Sequence, residues 1–186
     1  MHSLKKLTSA TYLTFQLDEE IFAADVQNVH EVLDFTTITK IPAAPDFMRG
    51  IINLRGRVVP VVDMRLKFGM PETEQTQSTC IIVMDVGINK EKMIIGALAD
   101  SVQDVLEFNS DQIEPPPRFG ALSQTDFIQG IGKRDNRFII ILNFDRVFSS
   151  DEVVMLGSMG EVPQQPEEEN LEDEKSDREE EGNNGS

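Results

Sequence analysis

One cysteine, two histidines and no long apolar run set the first limits on this 186-residue chain. A lone Cys80 excludes an internal disulfide and fits a reducing compartment, where a small buried thiol is the ordinary role. No apolar stretch approaches the roughly 18–20 residues that span a bilayer. The start, Met1-His2-Ser3-Leu4-Lys5-Lys6, is basic but runs into Thr8-Ser9, so no signal peptide is expected. His2 lies in that start. His30 has no second His or Cys near it, which argues for a surface residue and against a metal ligand. There is no Gly-x-Ser-x-Gly elbow and no phosphate-binding Gly-Lys-Ser/Thr loop. Gly130-Ile131-Gly132 lacks the third glycine of a dinucleotide site and follows a loop. Asp18-Glu19-Glu20, Asp100 and Asp104 lack partners that would tune them, and solvated turns and strand faces are expected there. Neither catalysis nor a cofactor is expected.

Charge of one sign is also scarce. The net charge is −16, and residues 161–186 hold 11 Asp and Glu against 2 Lys and Arg, net −9. The other 160 residues carry −7 and no basic stripe, which disfavours nucleic acid and anionic membrane as partners. From Gly157 onward the chain has too little apolar area to offset the entropy of ordering, and a disordered tail over 157–186 is expected. That tail serves either as a solubilising extension or as an autoinhibitory mimic competing for a basic partner surface. Mean hydropathy of −0.26 fits a soluble protein, long enough for one domain or two small intimate ones, and a cytoplasmic place with no direct membrane insertion is expected.

What is present is a succession of short strand patterns. Residues 1–11 read as loose. Tyr12–Leu17 begins a strand, and Asp18-Glu19-Glu20 turns into Ile21–Ala24. Val26–Leu33 has helical spacing but β-branched content, so helix and strand stay open. Ile38–Ile41 predicts a short strand stopped by Pro42. Ile51–Leu54 and Val58–Val62 flank Arg55-Gly56-Arg57 as a β-hairpin. Leu66–Met70 suggests a helical turn, and the polar stretch 72–78 divides the apolar content in half. Thr79–Val86, Met93–Leu98 and Val102–Phe108 are further strands. Pro115-Pro116-Pro117 opens a loop to about Gln129, and Gly130–Lys133 pairs with Phe138–Leu142. Phe144–Met155 predicts a closing helix, broken near Ser149-Ser150. Such strand density argues for an all-β barrel or sandwich. The halves on either side of 72–78 suggest two small barrels, and no repeat of fixed period is evident.

Asn53-Leu54-Arg55-Gly56 followed by Val59-Pro60-Val61-Val62-Asp63-Met64-Arg65 resembles the signature of the CheW family of chemotaxis coupling proteins. Tyr12-Leu13-Thr14-Phe15, Val29-His30-Glu31-Val32, Ile38-Thr39-Lys40-Ile41-Pro42, Gly96–Val102 and Ile113-Glu114-Pro115-Pro116-Pro117 extend the likeness over about Tyr12 to Met155. It implies two packed five-stranded SH3-like barrels with a groove between them, a short C-terminal helix, and an acidic tail beyond the family pattern. The domain is thereby placed at 12–156. The implied function is an adaptor that couples methyl-accepting chemoreceptors to the histidine kinase CheA. The same module in another kinase pathway, such as pilus motility, is the alternative, and a ligand- or oligonucleotide-binding barrel is a more distant one.

By residue-by-residue transfer, the resemblance places receptor binding at Val29, Glu31, Gly50, Arg55, Ile81, Gly96 and Val105. It places kinase binding at Ile38, Ile41, Glu114 and Phe119. Glu114 stands where the resemblance implies a basic residue. From the residues alone, Arg55 either projects to a partner or pairs internally with Asp63 or Glu31. Glu31 is either its counterpart or a plain solvated charge, the glycines either touch a partner or serve a turn, and Val29, Ile81 and Val105 are either groove or core.

Overall fold

The computed structural model describes residues 8–88, 90–116 and 126–160. Its strands are β1 (Ser9–Leu17), β2 (Glu20–Asp25), β3 (Val29–Asp34), β4 (Met48–Leu54), β5 (Arg57–Asp63), β6 (Cys80–Ile88), β7 (Glu91–Ala99), β8 (Ser101–Asn109), β9 (Ile113–Glu114), β10 (Ile128–Arg134) and β11 (Arg137–Leu142). Helices are α1 (Met64–Lys67) and α2 (Ser150–Gly160). One sheet runs β8-β1-β2-β11-β10-β9 and the other β3-β6-β7-β5-β4. We call them barrel I and barrel II. Barrel I has six strands where five were expected, because the two residues of β9 pair with β10 at Gly132 and Ile131. In barrel II the corresponding segment is reduced to the single bridge Thr39↔Ile51, so the strand expected over Ile38–Ile41 does not form.

The open assignment after Asp25 resolves into a 3-10 turn, Val26–Asn28, capped by the Asp25 side chain, and then strand β3. The closing segment forms a 3-10 turn at Phe144–Arg146 and a separate helix α2. Ser149 and Glu152 exchange side-chain-to-backbone hydrogen bonds of 3.3 and 2.9 Å across the start of α2, a capping box. The helix runs on to Gly160, past the boundary expected at 157.

The barrels are not the two halves of the chain. Barrel II uses β3 to β7 and interrupts barrel I, so the polar stretch 72–78 lies inside barrel II. Each barrel has the same plan. A central hairpin (β1–β2 or β6–β7) carries an antiparallel outer strand (β8 or β3) beside its first member. A second hairpin (β10–β11 or β4–β5) joins parallel to the other member. Register slips by one residue at matching places, Val29/Glu31 in β3 against Leu13/Phe15 beside β8, and Met48/Gly50 in β4 against Ile128/Gly130 in β10. The sequence carries the duplication as well. Val29-His30-Glu31-Val32-Leu33-Asp34-Phe35 matches Val102-Gln103-Asp104-Val105-Leu106-Glu107-Phe108, and Asp46-Phe47-Met48-Arg49-Gly50-Ile51 matches Asp126-Phe127-Ile128-Gln129-Gly130-Ile131.

Apolar residues separate into three clusters. Ile52, Val59, Val61, Ile81, Val83 and Leu98 fill barrel II, while Tyr12, Ala23, Phe108, Ile139 and Ile141 fill barrel I. The largest cluster lies between the barrels, where Phe15, Leu17 and Phe22 meet Val62, Ile82, Met84 and Ile95. Along β6, Ile81 and Val83 therefore face the barrel interior while Ile82, Met84 and Val86 face the seam. Both faces are buried, so the sequence shows an unbroken apolar run over Cys80–Met84 and no alternation there. Aromatic rings extend the seam, with centroids 6.0 Å apart for Phe15–Phe22, 5.7 Å for Phe22–Phe68 and 5.0 Å for Phe68–Phe127.

Phe15 is fully buried in this seam, and truncating a buried phenylalanine costs about 3–5 kcal/mol. Phe15→Ala is expected to lose about that much stability in urea denaturation, with fluorescence-independent far-UV and near-UV signals still changing together. Two separated transitions in the parent protein would contradict the shared seam.

Candidate functional site

The β4–β5 hairpin closes through Arg55 and Gly56, both at positive φ (50° and 82°), a two-residue turn of the kind that matches strand twist. Asn53 Oδ1 accepts a 2.8 Å hydrogen bond from the Gly56 N–H. An arginine in the left-handed region is uncommon, and here it delivers the guanidinium to β3. Arg55 donates to both Glu31 oxygens, at 2.6 and 3.1 Å. Of the partners left open, Glu31 is the one used. The Arg55 hydrogen bonds hold the Glu31 carboxyl below the usual carboxylate range, assisted by the Arg55 and His30 charges. Arg55 is 74% exposed. Exposed pairs contribute little to stability, so the pair's main effect is to present one oriented cation and one anion at the surface. On the same strand, His30 Nε2 lies 2.9 Å from Asp85.

Asp63, in the same motif, does something else. It is fully buried. Its Oδ1 accepts from the N–H groups of Arg65 and Leu66 and from the Thr73 hydroxyl, at 3.0, 3.3 and 2.8 Å. Its Oδ2 accepts from Thr73 N–H at 3.1 Å and lies 3.7 Å from Arg49, which also pairs with Glu72. The carboxylate thus caps α1 and ties it to the β4 bulge and the 72–78 stretch. A buried charge this well paired is structural. Asp100 corrects a second expectation. It is no solvated turn residue, because Arg65 Nε donates to it at 3.0 Å and Asp18 N–H at 2.6 Å, joining α1 to the β1–β2 turn.

The remaining candidates fall in different places. Val29 is half-buried and packs on the seam. Val105 is 60% exposed on β8, in the other barrel, and its twin Val32 on β3 is also exposed. Ile81 and Gly96 correct the expectation of direct contact. Ile81 is fully buried inside barrel II, and a Cβ on Gly96 would come within 2.8 Å of it, so both shape the barrel from within. Gly50 is buried at the β4 bulge with φ +143°, where a Cβ would stand 2.0 Å from Thr39 O; only glycine fits. Ile38 and Ile41 line a cavity of about 400 Å³ with Phe35, Met48, Pro45 and Arg49. Ile113 and Glu114 occupy the matching place in barrel I. The two segments expected to bind kinase are therefore the same element of the duplicated plan. Phe119 lies outside the described residues. Cys80 is buried, and burial pushes its thiol up and disfavours the thiolate. Among the described residues no group of three or more His, Cys, Asp or Glu is placed to hold a metal, and no helix is long and apolar enough to cross a membrane.

Paired barrels with an internal apolar seam and an exposed, oriented ion pair at a hairpin tip make a protein-docking module. Residues 11–152 match the family model described as "CheW-like domain", and the chain belongs to that family. It is similar to Chemotaxis protein CheW of Klebsiella aerogenes, 31% identical over 148 residues that cover 80% of this chain and 87% of that one. Chemotaxis protein CheW of Thermotoga maritima is 33% identical over 73% of this chain and 85% of its own length. Among solved structures, the scaffolding protein TtCheW from Thermoanaerobacter tengcongensis aligns with a TM-score of 0.67 and 35% identity, covering 77% of this chain and 95% of that one.

Two outcomes separate the two charged sites. Asp63→Ala is expected to destabilise the fold by about 3 kcal/mol, since it leaves the buried Thr73 hydroxyl and amide without their acceptor and uncaps α1, as read by urea denaturation. Arg55→Gln is expected to leave the melt nearly unchanged and to move Glu31 titration upward, toward the ordinary carboxylate range. In the parent the pair is intact above that range and is lost as pH falls through the depressed value. An unshifted Glu31 side-chain carbon titration in Arg55→Gln would rule out the pair in solution.

Proposed function

We propose that this chain is a non-catalytic adaptor of chemotaxis signalling that couples methyl-accepting chemoreceptors to the histidine kinase CheA. The observation that carries the reading is the match to the CheW-like domain over 11–152. The geometry supports a division of labour. Glu31 and Arg55, with half-buried Val29 on the same strand as Glu31, offer apolar surface edged by fixed opposite charges, suited to the side of a receptor helix, and exposed Val105 on β8 offers a further apolar contact on the other barrel. The cavity at Ile38 and Ile41, and the segment Ile113–Glu114 that holds the matching position in barrel I, are the surfaces assigned to the kinase regulatory domain. Glu114 in place of a cation calls for a basic residue on the partner at that end. An adaptor of this kind transmits signal only through contacts that differ between kinase states, and several weak contacts combine by effective concentration. Its place is the cytoplasm, at receptor arrays.

Charge reversal tests the receptor face. Arg55→Glu and Glu31→Lys each are expected to abolish co-sedimentation with receptor-containing membranes, with far-UV spectra unchanged. The double swap restores the internal pair but leaves the cation and anion exchanged, so it is expected to stay unbound. Full binding by the double swap would mean that the pair is structural and that receptors do not read it.

A further inference from the structure

His30 is the extra residue of a β-bulge. Val29 pairs with Met84 and Glu31 with Val83, so two steps along β3 cover one step along β6. A bulge re-aims its side chain, and the His30 ring turns to Asp85, the residue after Met84, with Nε2 2.9 Å from Oδ1. Barrel I repeats the bulge. Val102 pairs with Phe15 and Val105 with Leu13, and Gln103 stands in the place of His30. Gln103 Nε2 donates at 3.3 Å to Oε1 of Gln16, the residue after Phe15. The duplicated plan thus carries one cross-strand polar contact twice, as two neutral amides in barrel I and as imidazole and carboxylate in barrel II.

A proton is what the second version can gain and the first cannot. Imidazole is the side chain whose ordinary titration falls between pH 5 and 8, and a ring in either state donates from Nε2 to Asp85. Protonation therefore leaves the contact in place, adds one positive charge and turns Nδ1 from acceptor to donor. The next residue on β3 is Glu31, whose carboxyl the His30 charge helps to hold low. The β4–β5 tip brings Arg55 to Glu31, and Asp25 caps the turn that leads into β3. Behind β6, Asp145 reaches the Gly87 N–H, and Lys92 on β7 lies opposite Gly87. Of the two ion pairs on β3, the cationic members are the accessible ones: His30 is 46% exposed and Arg55 74%, while Glu31 and Asp85 lie deeper.

We propose that His30 is a proton-binding residue of the receptor face, and that its protonated form engages receptors more tightly, through a receptor carboxylate that meets Arg55 and His30 together. This rests on the receptor face proposed above at Glu31 and Arg55. Because the complex favours the imidazolium, the gain in affinity is full below the histidine range and is lost as pH rises through it. One added charge a few ångströms from a carboxylate, largely in water, supports a change of about threefold.

His30→Gln gives barrel II the residue that its twin carries at the same bulge, so the far-UV spectrum is expected to stay unchanged. Side-chain carbon titration of Glu31 in the parent, without receptor, is expected to show a second, small inflection between pH 5 and 8 that disappears in His30→Gln. Co-sedimentation with receptor-containing membranes is expected to be about threefold tighter at pH 6 than at pH 8 in the parent, a difference that vanishes in His30→Gln. A single Glu31 inflection in the parent would overturn the proposal, because the His30 proton then does not reach the pair. Binding that is independent of pH in the parent, or a pH dependence that His30→Gln keeps, would overturn it as well. If the second inflection is present but Arg55→Glu still binds fully, the receptor face is what fails and the pH-dependent engagement falls with it, while the coupling of His30 to Glu31 stands.

Discussion

The apolar seam between the two barrels is the constraint from which the rest follows. A five- or six-stranded sheet of short strands encloses only a small interior, and neither barrel has many large side chains inside it. The stability of such small units depends on area buried against something else. Here that something is the other barrel, through Phe15, Phe22, Ile82, Met84 and Ile95. The polar links repeat the arrangement at its rim. Arg65 beyond β5 reaches Asp100 and, through it, the central hairpin of barrel I, while Asp145 beyond β11 accepts the Gly87 N–H of the central hairpin of barrel II at 2.6 Å. Each barrel thus grips the central hairpin of its twin. The contact is organised like the self-complementary interface of a symmetric dimer, enclosed within one chain.

For an adaptor the consequence is geometric. Sites on different barrels keep a fixed spacing only if the barrels do. Glu31 and Arg55 belong to barrel II, and Val105 belongs to barrel I. The segments at Ile38–Ile41 and Ile113–Glu114 are one structural element used twice. Duplication therefore gives one molecule two similar ends, and the seam sets the angle between them. The charged residues divide by burial in the same way: buried Asp63 and half-buried Arg65 hold the framework, whereas Arg55 stays in solvent where a partner can reach it.

Much of this was legible in the sequence because it is local. The β4–β5 hairpin shows in its two apolar runs around Arg55-Gly56, and most strands show in their β-branched content. The resemblance carried the double barrel and pointed to Arg55 and Glu31. What escaped was long-range. The polar stretch 72–78 looks like a boundary, yet strand partners are chosen by register across the chain, and barrel II closes around that stretch. The signal that would have revealed the nesting was present in the paired motifs Val29–Phe35 and Val102–Phe108, which share no fixed period with the rest. Asp63 read as a possible partner of Arg55 and Asp100 as a solvated acid, because nothing local marks a carboxylate whose donors come from Thr73, Arg49, Arg65 or Asp18. Ile81 read as a possible contact residue because both faces of β6 are apolar, and only the fold tells interior from seam. The expected helix end at Met155 fell short of Gly160, since the loss of apolar character from Gly157 suggested an end that packing against β5 and β7 overrides.

The account rests on the two barrels behaving as one body. Native-state amide hydrogen exchange measures this directly, comparing β1 at the centre of barrel I with β6 at the centre of barrel II as denaturant is raised. If the seam unites them, the slowest amides of both strands merge onto one opening with the free energy of global unfolding. If β6 opens at a distinctly lower free energy while β1 stays protected, or the reverse, the barrels are separable units and the seam does not fix the geometry of the adaptor.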